Sequence, residues 1–131
     1  MSFPGGKQDA NDATALDAAL REAEEEIGLA RDDVSILGKM AAHRTVTAFE
    51  VSAFVGLLPR AFQPRPDPGE VAEVFEVPLE FLMRIENFQI HSRVWRDQRR
   101  NFYVIPYGPH YIWGATARIL RALAEQVRLA P

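Results

Sequence analysis

The sequence predicts one α/β domain in which a mixed β-sheet lies between helices. Three observations support this fold class. A run of helix-forming residues occupies positions 13–27, a series of β-prone segments fills the middle of the chain, and an amphipathic helical pattern covers residues 111–129. The length of 131 residues suits a single domain that spans residues 1–131.

The composition limits the classes of function. Hydrophobic residues make up 47% and charged residues 25% of the chain, as in ordinary globular proteins. The formal net charge of -3 offers no basic excess for general nucleic-acid binding. The absence of cysteine excludes disulfides, thiol nucleophiles and thiolate metal sites. No apolar run is long enough to cross a membrane, and no signal peptide pattern opens the chain. We therefore expect a cytoplasmic protein that binds neither nucleic acid nor membrane.

The first helix, residues 13–27, has recognisable signals at both ends. Asn11 or Asp12 can cap its first turn with a side-chain oxygen, and Gly28 stands where a left-handed residue ends a helix. Residues that share the apolar face at helical spacing are Leu16, Leu20, Ala23 and Ile27. This stretch is therefore predicted as a loop, a helix and a loop.

Three glutamates gather on another face of this helix, about 140° from the apolar face at 100° per residue. Like charges three or four positions apart repel by a few tenths of a kcal/mol per pair, and no Lys or Arg lies between Glu22 and Leu29 to offset them. The cluster is either a solvated acidic face, which is the commoner case, or a site for Mg²⁺ or Mn²⁺, which prefer carboxylate oxygen. Its members are Glu22, Glu25 and Glu26.

Five segments rich in β-branched and aromatic residues are predicted as strands, namely residues 34–41, 47–58, 70–77, 88–95 and 101–107. The second of them is apolar on both faces near its end and is expected to be a central strand.

The remaining segments carry turn and loop signals. Residues 43–45 are predicted as a turn or loop, and residues 59–69, which contain four prolines and a glycine, as a surface loop. Residues 78–83 are predicted as a short helix opened by proline, and residues 96–100 as a hairpin-like turn.

Residues 6–29 resemble the Nudix box, in which a glycine and an acid precede the pattern Arg-Glu-aliphatic-x-Glu-Glu-x-Gly-aliphatic. In the first half, Asp12 stands where the general pattern has Glu, and the spacer to Arg21 is one residue longer than usual. The second half matches at Arg21, Glu22, Ala23, Glu25, Glu26, Gly28 and Leu29. The resemblance implies a Nudix-like sheet with a loop-helix-loop catalytic motif and the metal-dependent hydrolysis of a diphosphate linkage.

Four further segments look like the coenzyme A diphosphatase branch of this family, namely residues 3–6, 70–79, 100–107 and 112–117. This second resemblance implies cleavage of coenzyme A or its acyl esters into 3′,5′-ADP and a 4′-phosphopantetheine product. Two alternatives stay open. One is a Nudix hydrolase of another nucleotide, such as ADP-ribose, a sugar nucleotide or a dinucleotide, and the other is a catalytically idle Nudix module that binds a ligand or partner.

The resemblance also implies roles for individual side chains. Glu22, Glu25 and Glu26 would hold Mg²⁺ or Mn²⁺, which neutralises the diphosphate and lowers the pKa of a bound water. Glu70 is a candidate for an extra ligand or a general base, and a surface strand residue is the alternative. Arg21 is expected to orient a glutamate through a charge-assisted hydrogen bond.

Substrate contacts are predicted at two places. Gly5 and Gly6 allow the backbone to approach the metal or phosphate closely, although a plain tight turn would also use them. Arg99 and Arg100, within the basic cluster of residues 93–100, are candidates to receive the 3′-phosphate of coenzyme A. A solvated hairpin is the alternative for that cluster.

Relatives of this kind usually carry strands ahead of the box, whereas this chain reaches residues 3–6 almost at once. We therefore expect a domain truncated at its amino terminus. The resulting unpaired sheet edge would favour a homodimer.

Overall fold

The computed structural model describes residues 1–44 and 50–129, and its helices and strands confirm the α/β class. The chain divides into two compact units, residues 2–75 and the residues from 76 onward together with Met1. Every strand pair among the described residues is antiparallel. That residues 1–131 form one domain stays a prediction.

Helix α1 spans Ala15–Ile27 and begins two residues later than predicted. Its N-cap is Thr14, whose side-chain oxygen accepts a hydrogen bond from the backbone N–H of Asp17 at 3.1 Å. The prediction of Asn11 or Asp12 as the cap was therefore wrong. The physical reason is that the carboxylate of Asp12 is already bound to another side chain, which is described below.

The proline-rich segment closes the carboxyl-terminal end of α1. The backbone N–H groups of Arg65 and Asp67 donate to the carbonyls of Ile27 and Glu26 at 2.8 and 2.9 Å. The last carbonyls of a helix have no partner inside the helix, so these bonds satisfy two of them and fix the course of the segment. The predicted surface loop is thus also a cap for the helix.

Gly28 ends α1 in the left-handed conformation, with φ +73°, as predicted. A Cβ atom at this position would also lie 3.0 Å from Nε of Arg65. We expect Gly28→Ala to lower the free energy of unfolding by about 1–2 kcal/mol, measured by urea denaturation. Gly38→Ala is the control, because its Cβ would meet no atom within 4 Å. Equal losses in both variants would contradict this account.

Two short ladders lie in the unit of residues 2–75. Strand β1 (Ser35–Lys39) pairs with β4 (Phe54–Leu57), and β2 (His43–Arg44) pairs with β3 (Glu50–Val51). The register of β1 against β4 shifts between Ile36 and Gly38, as at a β-bulge.

These ladders correct two predictions. The turn expected at 43–45 is a strand at residues 43–44, because that segment pairs with β3. The single strand expected at 47–58 is divided into β3 and β4, and within the described residues β4 pairs with β1 alone rather than in a central position. Residues 45 and 47–49 lie outside the described part of the chain.

The strand predicted at 70–77 was wrong. The backbone N–H groups of Glu70 and Val71 both donate to the carbonyl of Asp67, at 3.1 and 2.7 Å, and Gly69 N–H donates to the Asp67 side chain at 2.8 Å. This aspartate-centred turn overrides the β-propensity of the valines, which recur every third residue and so present no alternating face. The short helix α2 (Leu79–Leu82) follows Pro78 as predicted.

The second unit contains a three-stranded sheet in the order β5 (Gln89–Trp95), β6 (Gln98–Tyr107) and β7 (His110–Trp113). The turn between β5 and β6 contains only Arg96 and Asp97, with φ +50° and +61°, so β6 begins three residues earlier than predicted, whereas β5 matches its predicted bounds to within one residue.

Helix α3 (Gly114–Leu129) begins later than the predicted position 111, because residues 110–113 pair with β6 as strand β7. The buried apolar residues of this unit lie on β6, β7 and α3 and form its core. They are Val104, Ile105, Ile112, Ala117, Ile119, Leu120 and Ala124. None of the helices in the described part of the chain is long and apolar enough to cross a membrane.

Candidate active site

A glycine turn lies directly against two glutamates of α1. The backbone N–H of Gly5 donates to Oε1 of Glu26 at 3.0 Å. A Cβ atom on Gly6 would lie 2.7 Å from both Cδ and Oε1 of Glu22. A side chain at position 6 would therefore displace the Glu22 carboxylate, and the turn and the two carboxylates form one site.

The carboxylates at this site repel one another. Loss of solvent raises the pKa of Glu26 above its ordinary value, and the charges of Glu22 and Glu70 raise this pKa further, while the Gly5 N–H acts in the opposite direction. Glu70 therefore lies within electrostatic reach of Glu26, although 44 positions separate the two in the sequence. The helix-capping loop and the turn centred on Asp67 place it there.

These residues fit a hard divalent cation. The donor set consists of carboxylate oxygens, and their mutual repulsion is what a cation would relieve. Within the described ranges, no three acidic or histidine side chains form a ready-made metal-binding group. Mg²⁺ sites, however, commonly use one or two carboxylates and complete the coordination with water and substrate phosphate. The pair Glu22 and Glu26, with Glu70 nearby, meets that smaller requirement.

Arg21 connects the remaining acidic residues of the helix. Its Nη1 donates to Oε1 of Glu22 at 3.2 Å and to Oε2 of Glu25 at 3.3 Å. The Glu25 side chain is 52% exposed, and the contacts described for it are with Arg21. The structure thus brings Glu22 and Glu26 together at the glycine turn and sets Glu25 toward the arginine.

The other edge of the Arg21 guanidinium is bound by Asp12. Nε and Nη2 donate to the Asp12 carboxylate at 3.1 and 2.9 Å, and Nη2 also donates to the carbonyl of Lys7. The Asp12 side chain is only 5% exposed. The bond from Arg21 lowers the pKa of Asp12, and the same bond raises the pKa of Arg21. Asp12 and Arg21 therefore tie the loop before the helix to the acidic face of the helix.

Sequence reasoning left Asp12 without this partner. The available signal was an acid six positions after Gly6, which is where the general motif also has an acid. Its aspartate side chain is one methylene shorter than glutamate, and the spacer that follows is one residue longer. Neither feature by itself shows that the carboxylate faces Arg21, because that contact crosses nine positions.

The Asp12 contact predicts a pH-dependent effect. The folded pKa of Asp12 is lowered by Arg21, so its contribution to stability is present above the unfolded pKa near 4 and is lost as the pH falls through the folded pKa. We expect Asp12→Asn to lower the thermal midpoint at pH 7 and to differ less from the wild type at low pH. Asp32→Asn, a change at an exposed position, is the control. A constant offset at all pH values would contradict the assignment.

The two arginines predicted to contact substrate lie in the other unit, on opposite faces of their strand. Nη1 of Arg99 donates to Oγ of Ser92 at 3.1 Å, and the guanidinium of Arg100 lies 5.2 Å from the ring centroid of Trp95. Successive residues of a strand point to opposite faces. Substrate contact by Arg99 and Arg100 stays a prediction.

Comparison with known proteins identifies the family. Residues 1–99 match the family described as "NUDIX domain". A Photorhabdus laumondii protein named "Uncharacterized Nudix hydrolase NudL" is 37% identical over 129 residues, which cover 98% of this chain and 69% of that protein. Proteins of the same name from Citrobacter koseri and Yersinia enterocolitica are 34% and 37% identical. The matched regions cover 100% and 98% of this chain and 68% and 66% of those two proteins.

The family match includes the glycine turn, all of α1 and Glu70. The relatives extend the similarity over nearly all of this chain. The chain therefore belongs to the Nudix hydrolase family and is a pyrophosphohydrolase of that family.

Proposed function

We propose that this chain hydrolyses the diphosphate linkage of coenzyme A or its acyl esters, giving 3′,5′-ADP and a 4′-phosphopantetheine product. The observation that carries the reaction class is the contact of the Gly5–Gly6 turn with Glu22 and Glu26. The coenzyme A assignment is supported by the sequence resemblance at residues 70–79, 100–107 and 112–117. A diphosphate-containing nucleotide of another kind is the alternative substrate.

In this proposal Glu22 and Glu26 hold Mg²⁺ or Mn²⁺, with Glu70 as a further ligand or as the general base. The chemistry supplied by such an ion is neutralisation of the diphosphate charge and a lower pKa for the attacking water. Water attacks one phosphorus atom, the bridging P–O bond breaks, and a carboxylate receives the proton of the water. The Gly5 N–H holds Glu26 in place, so the site is preorganised before substrate arrives.

Arg21 and Glu25 have supporting places in the proposal. Arg21 orients Glu22 through Nη1, and Asp12 accepts a hydrogen bond from Nη2 of the same guanidinium. Glu25, which is more exposed and bonded to Arg21, is available as an outer ligand when metal and diphosphate are present together. Together these residues would mainly position the substrate and screen the negative charge of its diphosphate, as hydrolysis of a diphosphate requires.

The proposal is tested by comparing substrates. Purified protein is incubated with coenzyme A, ADP-ribose and a nucleoside triphosphate, with Mg²⁺, with Mn²⁺ and with EDTA. We expect coenzyme A to have the highest kcat/KM, turnover to require the metal, and 3′,5′-ADP to appear as a product. A higher kcat/KM for ADP-ribose than for coenzyme A would show that ADP-ribose is the preferred substrate. If no substrate is turned over under any of these conditions, the result would favour a Nudix module that binds a ligand or partner without hydrolysing it.

The expected oligomeric state is a homodimer, and the expected compartment is the cytoplasm. Strand β5 is at the edge of its sheet, and its Ile90 and Val94 side chains are 68% and 63% exposed. An exposed apolar edge strand can pair with a second copy. A single monomer mass at high micromolar concentration in light scattering would refute the dimer.

A further inference from the structure

Two arginines face one another across the β5–β6 hairpin. Arg93 and Arg100 are directly opposed in the antiparallel ladder and therefore lie on the same face of the sheet. Both are exposed. Like charges directly opposite each other on paired strands destabilise the pair. This placement is unfavourable for the free protein and favourable for binding an anion.

A third guanidinium adds to the same end of the hairpin. Arg96 lies 4.4 Å and Arg100 5.2 Å from the ring centroid of Trp95, which shares the face of Arg93 and Arg100. In the part of the chain that the structure describes, no ion pair joins any of these three arginines to a carboxylate. Trp95 thus holds guanidinium groups whose hydrogen-bond donors are still available.

An aromatic surface continues from the arginines along the same face. Ring contacts of about 6 Å join His91 to Phe102 and Phe102 to Trp113, and the hydroxyl of Tyr111 lies 2.8 Å from Nδ1 of His91. The strand register places all four rings on the face of Arg93 and Arg100. Tyr111 and Trp113 remain 48% and 45% exposed, so part of each residue is accessible to a ligand. We name His91, Phe102, Tyr111 and Trp113 the aromatic strip.

We propose that this face of the sheet binds a phosphorylated nucleotide, with a phosphate monoester between Arg93 and Arg100 and the base against the aromatic strip. Arginine binds phosphate through two parallel hydrogen bonds, and nucleobases stack on aromatic side chains. Neither feature alone identifies a nucleotide, but their continuity on one face does. Arg99 is excluded from this surface, because it lies on the opposite face and donates to Ser92.

The choice of test ligand rests on the proposed function, since 3′,5′-ADP is a product of the proposed reaction. Calorimetric titration in EDTA, where no metal-dependent turnover occurs, compares 3′,5′-ADP with adenosine. We expect 3′,5′-ADP to bind at least about tenfold more tightly. Arg93→Gln and Arg100→Gln should each weaken 3′,5′-ADP binding by about tenfold and leave adenosine binding unchanged. Trp113→Ala should weaken both ligands.

The controls separate a defined site from a diffuse positive field. Arg128→Gln removes the same charge from an exposed position of α3. It is expected to change 3′,5′-ADP affinity less than about twofold, because an exposed charge outside the site is screened at 0.15 M salt. Thermal melts of all variants confirm that each is folded.

Several results would overturn the proposal. Equal affinity for adenosine and 3′,5′-ADP would refute the phosphate site, and a loss of affinity in Arg128→Gln as large as that in Arg100→Gln would indicate a diffuse positive field. Displacement of 3′,5′-ADP by an oligoadenylate at much lower concentration would indicate a nucleic-acid surface instead. Binding without coenzyme A hydrolysis would refute the proposed function alone, whereas hydrolysis with normal 3′,5′-ADP binding in the arginine variants would refute this inference alone.

Discussion

Glu26→Gln is expected to lower kcat/KM by about 100-fold or more, because under the proposed function it removes a negatively charged ligand of the metal ion that would neutralise the diphosphate. The Glu26 carboxylate accepts a hydrogen bond from the Gly5 N–H, and Glu22 and Glu70 are its charged neighbours. The amide keeps the size of the side chain and removes its charge. Initial rates with coenzyme A and Mn²⁺ measure the effect.

Glu24→Gln is the matched control, because Glu24 is an exposed glutamate on the same helix outside the site. We expect it to retain nearly the wild-type rate. A similar loss in both variants would assign the effect to the net charge of the helix, and a wild-type rate in Glu26→Gln would refute the metal role.

Glu26→Gln should also change how the free energy of unfolding responds to metal and to pH. Since the folded pKa of Glu26 is raised, protonated Glu26 stabilises the metal-free fold at low pH, and that contribution is lost as the pH rises through the folded pKa. Metal binding needs the ionised carboxylate. Mn²⁺ at 100 times its dissociation constant should therefore stabilise the wild type by about 2.7 kcal/mol at pH 7 and by less at pH 5. Glu26→Gln should lose most of this stabilisation.

Gly6→Ala is expected to lower kcat by about 100-fold while leaving the fold intact. Its Cβ would lie 2.7 Å from Cδ and Oε1 of Glu22, so the carboxylate must move away from the turn. A displacement of about 1 Å in a catalytic group can cost about 100-fold in rate. Steady-state kinetics measure the loss, and thermal denaturation shows whether the variant is folded.

Gly5→Ala gives the sharpest comparison for Gly6→Ala. The added carbon would meet no atom within 4 Å, and the backbone N–H that donates to Glu26 is kept. We expect a far smaller loss of kcat than in Gly6→Ala. Comparable losses in the two variants would show that the turn needs glycine for its backbone conformation rather than for its contact with Glu22.

The local features of this protein can be predicted from short stretches of its sequence. Helix α1 and the left-handed Gly28 at its end depend on side-chain size, helix propensity and backbone freedom within a few residues. The three acids on one helical face likewise follow from spacing alone. The family motif could be read for the same reason, since all its second half lies within one helix and its cap.

Contacts between distant segments could not be predicted from such short stretches. The strand expected at residues 70–77 was wrong, because propensity was outweighed by the turn around Asp67. That turn and the bonds from Arg65 and Asp67 to the helix end decide that Glu70 acts on Glu26. The pattern of residue types along the chain does not show which distant segments come into contact.

The sequence by itself determined the α/β class, the first helix and the residues of the family motif, because each depends on neighbours one or two turns away. Tertiary structure alone decided which of those residues meet: Asp12 with Arg21, and the glycine turn with Glu22. It also set the register that places Arg93 and Arg100 on one face and Arg99 on the other. The physical reason is that strand register and loop docking are fixed by the packing of the whole unit, which no local stretch encodes.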